Sequence, residues 1–342
     1  MESSTANVIG LDIGGANLKY ADSSGRTHCT EFPLWQRPDD LEKRLAVDLR
    51  RFAETRVQGI AVVMTGELAD CFLDRAEGVQ RIARQLDAAA VSLGLPNPRY
   101  YAVDGCFHDS AFAETDADQI AAANWHALAS YVADRFATDG WLIDIGTTTT
   151  DIIPFNGGTV ATESRTDFDR LRAKELVYLG GARTPVCSVV SELIVDDHSV
   201  PLMREVFATM DDVRILLGFV AEAPKDNQSA DGKPRDRFHC ANRIARMVGL
   251  DHRSIPIEQA TQLAAEVHRA ARSVLADAFS RIPEAATVVL SGHARDLLSD
   301  AIRDRDVIDL EQQLGSELSR VAPAYAAAKL LSSSCSATCD VS

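Results

Sequence analysis

The hydrophobic pattern of the chain contains two similar places where an apolar run stops at a turn. Residues 8–13 read Val-Ile-Gly-Leu-Asp-Ile and are followed by Gly14 and Gly15. Residues 141–145 read Trp-Leu-Ile-Asp-Ile and are followed by Gly146 and four threonines. A second apolar stretch follows each turn, which is typical of a strand, a tight turn and a second strand. We therefore predict two β-hairpins.

The two predicted hairpins share the sequence Asp-Ile-Gly. When Asp12 is aligned with Asp144, Gly14 falls on Gly146, and a further glycine ends each copy. Two copies a domain's length apart predict two similar lobes that face each other across a cleft. Residues 141–158 taken alone are equally well explained as an ordinary threonine-rich hairpin, but the repetition favours a functional site.

The residue types in the two turns suit a phosphate group and a metal ion. Backbone amides and hydroxyls bind phosphate oxygens, and carboxylates bind a hard cation such as Mg²⁺. The candidate phosphate-binding residues are Gly14, Gly15, Asn17, Lys19, Gly146, Thr147, Thr148, Thr149 and Arg183. The candidate Mg²⁺ ligands are Asp12, Asp144 and Asp151. For Arg183, an ordinary surface position is an equal alternative.

Two more predicted strands end near acidic residues. Residues 59–65 are apolar and lead into Gly66 and Glu67, and residues 99–105 carry Asp104 at their end. Ligands lie at strand ends in open α/β sheets, so Glu67 is a candidate general base or metal ligand, with a solvated helix cap as the alternative. The candidate catalytic residues are Asp12, Glu67, Asp104 and Asp144. The candidate substrate-binding residues are Thr65, Gly66, Gly180, Gly181 and Gly292.

Helical periodicity alternates with these strands, which predicts an α/β protein. Helices are predicted at residues 39–56, 75–93, 115–137, 236–249, 254–282 and 323–331, and an exposed loop or substrate lid at 223–237. The predicted division is a first lobe at residues 1–139, a second lobe at 140–320, a helix at 321–331 that returns to the first lobe, and a disordered tail at 332–342.

The composition excludes several classes of protein. Of the 342 residues 46% are hydrophobic and 25% charged, which is typical of a globular protein. The formal net charge of −15 argues against a nucleic acid or an anionic membrane as partner. The chain has no apolar run of about 20 residues and no signal-peptide pattern, so we expect a cytoplasmic protein. Its seven scattered cysteines do not form a disulfide framework, and a homodimer is left open.

The two hairpin motifs resemble the phosphate motifs of the actin/Hsp70/sugar-kinase (ribonuclease H-like) superfold. The second motif most resembles the hydantoinase A/oxoprolinase branch. Residues 62–78 and the sequence Tyr-Leu-Gly-Gly-Ala-Arg-Thr-Pro at 178–185 are similar to proteins of the tetrahydromethanopterin-linked one-carbon pathway. The resemblance covers residues 8–330 and implies a two-lobed α/β fold with a cleft between the lobes.

The resemblance also implies a function. Archaeal members of that group join a furanylmethyl diphosphate to the phenol oxygen of γ-glutamyltyramine during methanofuran biosynthesis. It therefore implies a transferase that takes a diphosphate and a phenolic tyramine or tyrosine derivative as small-molecule partners and releases pyrophosphate. The Mg²⁺ expected from the hairpin carboxylates would neutralise the leaving diphosphate.

Two other functions are consistent with the same motifs. One is an ATP-dependent kinase or a hydantoinase/oxoprolinase-type enzyme, and the other is a non-catalytic, nucleotide-binding, actin-like module. Residues 287–295 resemble the adenosine motif of the superfold, but Gly292 is followed by His293 where the kinases tend to carry a glycine pair. This difference weighs against a bound nucleotide.

Overall fold

The computed structural model describes residues 7–53, 56–298 and 300–339. The chain divides into two compact units. The first unit contains the chain up to Leu142, Ile153–Ala173 and the chain from Ile308, and the second contains Ile143–Ile152 and Lys174–Val307. The break near residue 142 lies close to the predicted boundary at 140, whereas the assignment of Ile153–Ala173 to the first unit was not predicted.

Among the described residues, six strands form the first sheet. They are β1 (Asn7–Ile13), β2 (Asn17–Asp22), β3 (Thr27–Glu31), β4 (Val57–Met64), β5 (Pro98–Tyr101) and β6 (Phe107–His108). Their order is β3-β2-β1-β4-β5-β6. The pairs β1–β2 and β2–β3 are antiparallel, whereas β1–β4 and β4–β5 are parallel. The first predicted hairpin is therefore β1–β2, and β4 ends on the same side of the sheet as β1.

The helices of this part of the chain cover the first sheet. They are α1 (Leu41–Leu49), α2 (Arg75–Ser92), α3 (Ser110–Thr115), α4 (Ala117–Ile120) and α5 (Asn124–Arg135). Helix α2 begins after Asp74, whose carboxylate accepts a hydrogen bond from the backbone amide of Glu77 at 2.8 Å. Its buried face carries Val79, Ile82 and Leu86, at the spacing of one helical stripe.

The helix predicted at residues 115–137 is not continuous. It is divided into the end of α3, then α4 and α5, and Ala122 between α4 and α5 has φ 51°. Alanine favours a helix and rarely adopts positive φ, so local propensity predicts no break here. Ala121, Ala122 and Ala123 are all buried, which indicates that packing holds this turn.

The described strands of the second sheet repeat the order of the first. They are β7 (Gly140–Ile145), β8 (Thr150–Asn156), β9 (Thr159–Val160), β10 (Leu176–Val177), β13 (Val288–Gly292) and β14 (Val307–Asp309), with β11 (Glu192–Val195) and β12 (His198–Pro201) forming a separate ribbon. The order is β10-β8-β7-β13-β14, and β9 pairs with β8. Strands β7 and β8 are neighbours joined by a four-residue turn, which confirms the second predicted hairpin.

The remaining described helices are α6 (Asp167–Arg172), α7 (Val186–Val189), α8 (Met210–Leu216), α9 (Arg237–Arg246), α10 (Ile257–Phe279), α11 (Asp300–Arg303), α12 (Leu310–Leu314), α13 (Ser316–Arg320) and α14 (Ala322–Cys339). Arg235 stabilises the loop predicted at 223–237 through ion pairs with Asp211 at 2.7 Å and Asp226 at 2.5 Å.

The described helices include none that is long and apolar enough to cross a membrane.

Helix α14 packs against β1, β4 and α5 within the first unit. A side chain at Gly10 on β1 would collide with the carbonyl of Ala324, so the close approach of helix to strand requires glycine there. The helix continues to Cys339, whereas the sequence predicted its end at Leu331 and a disordered tail from residue 332. Residues 340–342 of that predicted tail lie outside the described part of the chain.

The two sheets together establish the fold class. In each sheet, the strand that comes first in the chain, β1 or β7, has two neighbours. One neighbour is its hairpin partner, β2 or β8, and the other is a strand from later in the chain, β4 or β13. In the first sheet, the later strands β4 and β5 run parallel to β1. This repeated order is that of the actin/Hsp70/sugar-kinase (ribonuclease H-like) fold, so the predicted α/β fold class is confirmed.

Candidate functional site

The tip of the first hairpin is held by backbone hydrogen bonds. The amide of Gly14 donates to the carbonyl of Asn17 at 3.0 Å, which closes the turn between β1 and β2. The amide of Leu34 donates to the carbonyl of Gly15 at 2.9 Å, so the segment after β3 supports the turn from one side. The tip is therefore a fixed loop whose residues Gly14 and Gly15 are only partly buried.

Asp12 lies at the end of β1, directly opposite Lys19 on β2. The Lys19 ammonium donates to Asp12 Oδ2 at 3.3 Å. Asp12 is only 3% exposed, and within the described residues its Oδ1 is buried without a hydrogen-bond partner. A buried carboxylate oxygen that lacks a donor is costly in free energy, and a bound cation is one group that satisfies it.

The end of β4 lies beside this hairpin tip. The amide of Thr65 donates to the carbonyl of Ile13 at 3.0 Å. A side-chain carbon added at Gly66 would lie 2.8 Å from Leu34 Cδ2 and 3.1 Å from the carbonyl oxygen of Ile13, so glycine permits the contact. The structure thus brings the predicted Thr65 and Gly66 together with the first phosphate motif.

Glu67 follows in a short 3₁₀ helix and is almost completely buried, at 1% exposure. Within the described residues neither of its carboxyl oxygens has a hydrogen-bond partner. Burial raises the pKa of Glu67 to about 8, because the charged form loses its hydration, and the nearby Asp167 acts in the same direction. The alternative of a solvated helix cap is therefore wrong, because the side chain lies in the interior.

Asp104 has a different environment from Glu67. It lies in the exposed loop after β5, where its Oδ1 accepts a hydrogen bond from the amide of Cys106 at 2.8 Å. Its Oδ2 lies 2.8 Å from Nε2 of His108, whose ring stacks on Phe112. Both oxygens of Asp104 therefore hold the conformation of its own loop.

A buried polar cluster next to this loop was not predicted from the sequence. The hydroxyl of Tyr101 lies 2.9 Å from both Nδ1 of His126 and the hydroxyl of Ser130. Burial lowers the pKa of His126 to about 4, with the charge of Arg165 acting in the same direction, so the imidazole is neutral at neutral pH. The only signal in the sequence is a histidine within an otherwise apolar helix, which does not distinguish a structural role from a functional one.

The tip of the second hairpin is supported by the glycine turn at residues 180–181. The amide of Gly146 donates to the carbonyl of Thr149 at 2.9 Å, as Gly14 does to Asn17 in the first hairpin. The amide of Gly181 donates to the carbonyl of Gly146 at 2.9 Å, and that of Arg183 donates to the carbonyl of Thr147 at 2.8 Å. These bonds join the tip of the second hairpin to the turn at residues 180–181, which are separate motifs in the sequence.

Glycine is required at two of these contacts. A side-chain carbon at Gly180 would lie 2.6 Å from the backbone of Thr148. Gly292 has φ 88°, in the left-handed region, and a side chain there would collide with the carbonyl of Ile145. Gly180, Gly181 and Gly292 thus converge on the second hairpin within the second unit.

The carboxylates of the second hairpin differ in exposure. Asp144 is partly buried near the end of β7, and Asp151 is 7% exposed on β8, opposite Leu176. Thr150 beside it is fully buried and donates its hydroxyl hydrogen bond to the carbonyl of Leu179 at 2.7 Å. Thr147, Thr148 and Thr149 are exposed or partly buried.

Arg214 on α8 is the main residue that the sequence analysis missed. Its guanidinium is buried and donates to the carbonyl of Gly181 at 2.8 Å and to that of His293 at 2.9 Å. It therefore joins the turn at 180–181 to the turn that follows β13. Arg183, for which the sequence left a phosphate ligand and a surface position as equal alternatives, is exposed. The available signal for Arg214 was a charged residue between the apolar residues Val213 and Ile215.

Asp296 completes this arrangement. It accepts hydrogen bonds from Arg214 at 2.8 Å and lies 3.0 Å from Nε2 of His268. Burial alone would raise the pKa of Asp296, but the hydrogen bonds from His268 and Arg214 outweigh it and hold the pKa below its usual value. Asp296 is therefore ionised at neutral pH and balances the charge of Arg214.

The described residues offer carboxylates to Mg²⁺ but not a complete set of protein ligands. Within the described part of the chain, no three His, Cys, Asp or Glu side chains are grouped so as to hold a metal ion. Mg²⁺ commonly binds one or two carboxylates and takes its other ligands from phosphate oxygens and water. The buried, unpartnered Oδ1 of Asp12 fits that mode of binding.

Comparison with known proteins identifies relatives over most of the chain. The chain is 31% identical over 331 residues to the (4-{4-[2-(gamma-L-glutamylamino)ethyl]phenoxymethyl}furan-2-yl)methanamine synthase of Methanocaldococcus jannaschii, covering 95% of this chain and 97% of that protein. It is 26% identical over 212 residues to the synthase of the same name from Methanococcus vannielii, covering 59% of this chain and 95% of that protein.

One solved structure is similar in fold, and one family model matches most of the chain. An acetone carboxylase in its nucleotide-free form is similar in fold, with a TM-score of 0.54 and 12% identity, over 95% of this chain and 70% of that one. The model of the hydantoinase/oxoprolinase family matches residues 58–333. This match covers most of the chain and includes the second hairpin and the glycine turns around it. The chain therefore belongs to the hydantoinase/oxoprolinase family.

Proposed function

We propose that the protein is a transferase of methanofuran-type cofactor biosynthesis. It joins a furanylmethyl diphosphate to the phenol oxygen of a tyramine or tyrosine derivative and releases pyrophosphate. The observation that carries this proposal is the 31% identity to the Methanocaldococcus jannaschii synthase, because the alignment extends over 95% of one chain and 97% of the other. The name of that synthase describes a product with a phenoxymethyl link between a phenol and a furan.

The bond changes define what the site must do. The bond between the furanylmethyl carbon and the diphosphate oxygen breaks, and the diphosphate leaves with the electron pair. The furan oxygen stabilises the positive charge that develops on that carbon. The phenol oxygen then forms the new carbon–oxygen bond and loses its proton to a base. The protein must therefore stabilise a diphosphate anion and accept one proton.

The hairpin tips are suited to the first of these tasks. In the first unit, Gly14 and Gly15 lie in a fixed turn beside Lys19, whose ammonium attracts anions. In the second unit, the hydroxyls and amides of residues 147–149 lie on a turn held by Gly180 and Gly181. A turn that is already ordered stabilises a developing charge without paying for reorganisation.

Mg²⁺ is part of the proposal. Asp12 would be the ligand in the first unit, and Asp144 and Asp151 would be the ligands in the second unit. When bound, the ion neutralises negative charge on the leaving diphosphate. Asp12 is the best supported of these ligands because its Oδ1 is buried and, in the described residues, has no donor.

Glu67 is the proposed proton acceptor. Its carboxyl is buried next to the end of β4, and its pKa of about 8 lies between those of an ordinary carboxylate and a phenol. A base whose pKa lies near the working pH accepts and releases a proton efficiently. Asp104 supports this role less well, since both of its oxygens already hold its own loop.

The test is a reaction of the purified protein with the furanylmethyl diphosphate and a set of phenols. The phenols are γ-glutamyltyramine, tyramine and tyrosine, each with and without Mg²⁺. We expect a coupled ether product by mass spectrometry and one pyrophosphate released for each coupling. ATP consumption in the presence of these phenols, with no ether product, contradicts the proposal and supports an ATP-dependent enzyme instead.

A further inference from the structure

The second unit contains a pocket that the phosphate motifs do not account for. Its volume is about 460 Å³, and it is lined by Phe219, Leu290, Arg295, Asp296, Leu298 and Val307. Leu290 belongs to β13, two residues before Gly292, and Arg295 and Asp296 follow the same strand. The pocket thus lies beside one of the glycine turns of the candidate site. Pockets of about 300–1,000 Å³ typically hold small-molecule ligands.

The lining of the pocket is mostly apolar and includes an aromatic ring. Phe219 is 51% exposed, and its ring stacks on that of His268 at a centroid distance of 4.9 Å and an angle of 21°. An exposed aromatic side chain held in place by a stacked neighbour offers a ready surface to a second ring. The aliphatic side chains of Leu290, Leu298 and Val307 complete walls that do not favour a charged group.

The charged groups of the pocket have different roles. The carboxylate of Asp296 is already bound by Arg214 and His268, so it forms part of the wall. Arg295, which has a contact within the protein, also lines the pocket, and its guanidinium carries five N–H donors. A guanidinium binds a carboxylate through two parallel hydrogen bonds. The pocket therefore suits a ligand with one aromatic ring and a carboxylate at some distance from it.

The pocket is also connected to the glycine turns through one residue. The side chain of Arg214 binds the carbonyls of Gly181 and His293, while its own carbonyl accepts a hydrogen bond from the amide of Phe219 at 2.9 Å. The backbone of Arg214 therefore contacts the residue that carries the aromatic ring of the pocket, and its side chain contacts the glycine turns.

We propose that this pocket binds the phenolic acceptor, with the acceptor ring against Phe219 and its carboxylate on Arg295. This inference rests on the proposed function, which supplies the phenol as a substrate. It adds that acceptors with a carboxylate, such as tyrosine or γ-glutamyltyramine, bind more tightly than tyramine. The diphosphate donor is a poorer match, because its furan ring is small for this volume.

The experiment measures binding of each phenol alone by isothermal titration calorimetry. We expect Phe219→Ala to raise the Kd of γ-glutamyltyramine about tenfold, the loss typical of an aromatic contact. Phe238→Ala is the matched control, since Phe238 is 47% exposed in the same unit and also packs on histidine rings, but it does not line the pocket. Val307→Trp, which fills the pocket from a partly buried position, should abolish binding. Arg295→Met should remove the tighter binding of tyrosine and γ-glutamyltyramine relative to tyramine.

The outcomes separate this inference from the proposed function. Unchanged acceptor binding in Phe219→Ala and Val307→Trp, in a protein that still makes the ether product, overturns the pocket assignment alone. Acceptor binding that depends on Phe219 without any ether product supports the pocket and overturns the proposed reaction. Binding of adenosine in place of phenols, lost in Val307→Trp, overturns the assignment in favour of a nucleoside.

Discussion

Glu67 shows how strongly burial changes the chemistry of a single residue. The sequence places a glutamate after a strand end and a glycine, a position that is often solvated. In the structure the carboxyl lies in the core of the first unit, where the charged form is disfavoured and the pKa rises to about 8. This one residue therefore links the stability of the fold to pH.

The first prediction concerns that link. A raised folded-state pKa means that the folded protein binds more protons than the unfolded chain between the ordinary pKa of 4.5 and about 8. The contribution of Glu67 to the free energy of unfolding should therefore be fully present below about pH 4.5 and should be lost as the pH rises to about 8. Glu67→Gln should lose this dependence and be more stable than the natural protein at pH 8.

Denaturant unfolding across this pH range measures the effect. Asp70→Asn is the control, because it removes an exposed carboxylate three residues away. If the natural protein and the Glu67→Gln variant had parallel profiles of stability against pH, the assignment of a buried, protonated carboxyl would be contradicted.

The natural protein and the Glu67→Gln variant should also differ in coupling rate. The rate of the natural protein is expected to rise as the pH approaches 8 and that of Glu67→Gln to stay low.

The second prediction concerns Arg214 and Asp296. Arg214→Met should lower the free energy of unfolding by about 3–5 kcal/mol, because it leaves a buried carboxylate without its main partner. Arg253→Met is the control. It removes an arginine that pairs with Asp251 at the surface, where ion pairs contribute about 0–1 kcal/mol. Replacing Asp296 by Leu in the Arg214→Met background should restore part of the lost stability. A larger loss in the double variant would contradict the pairing.

At the scale of elements, the two hairpins are built by the same local rules but are supported differently. The first tip is held by the end of β4 and the segment around Leu34. The second tip is held by the turn at 180–181, and Gly292 packs over Ile145. The second hairpin therefore depends on contacts between segments that are up to about 150 residues apart in the sequence.

The third prediction tests that dependence. Gly292→Ala introduces a side chain at φ 88° and directly against the carbonyl of Ile145. Gly232 is the control, with φ 66° and open space around it. Gly232→Ala should cost about 1–2 kcal/mol for the left-handed conformation alone, and Gly292→Ala should cost clearly more and reduce coupling activity. Thermal unfolding and initial rates measure both. Equal losses of stability would contradict the close packing at Gly292.

At the scale of the whole molecule, the repeated sheet order places one hairpin motif in each unit. Both motifs suit phosphate groups, so ligand-induced stabilisation distinguishes the classes of function better than any single residue does. A ligand that binds only the folded state raises its stability in proportion to the logarithm of its concentration relative to Kd.

The fourth prediction is a thermal-shift comparison of pyrophosphate, ADP and ATP with and without Mg²⁺. We expect pyrophosphate with Mg²⁺ to raise Tm most, with a free energy of about 2.7 kcal/mol at one hundred times Kd. Asp12→Asn should reduce the part of the shift that requires Mg²⁺, whereas Asp70→Asn should leave it unchanged. Stabilisation by ATP that exceeds that by pyrophosphate would favour a nucleotide-dependent enzyme.

The sequence by itself determined the local elements and the chemistry of the turns. Alternating apolar runs, glycines and aspartates specify the two hairpins, since strand and turn preferences act over a few residues. The same local signals predicted β4 and its Thr65-Gly66 end, helix α2 and the glycine turns at 180–181 and 292.

Only the tertiary structure decided the environment of each group. It buried Glu67, joined Arg214 to Gly181, His293 and Asp296, broke the alanine-rich helix at Ala122 and assigned Ile153–Ala173 to the first unit. Each of these features depends on residues far apart in the sequence. Burial and pairing are properties of packed neighbours, and a single sequence does not state which segments become neighbours.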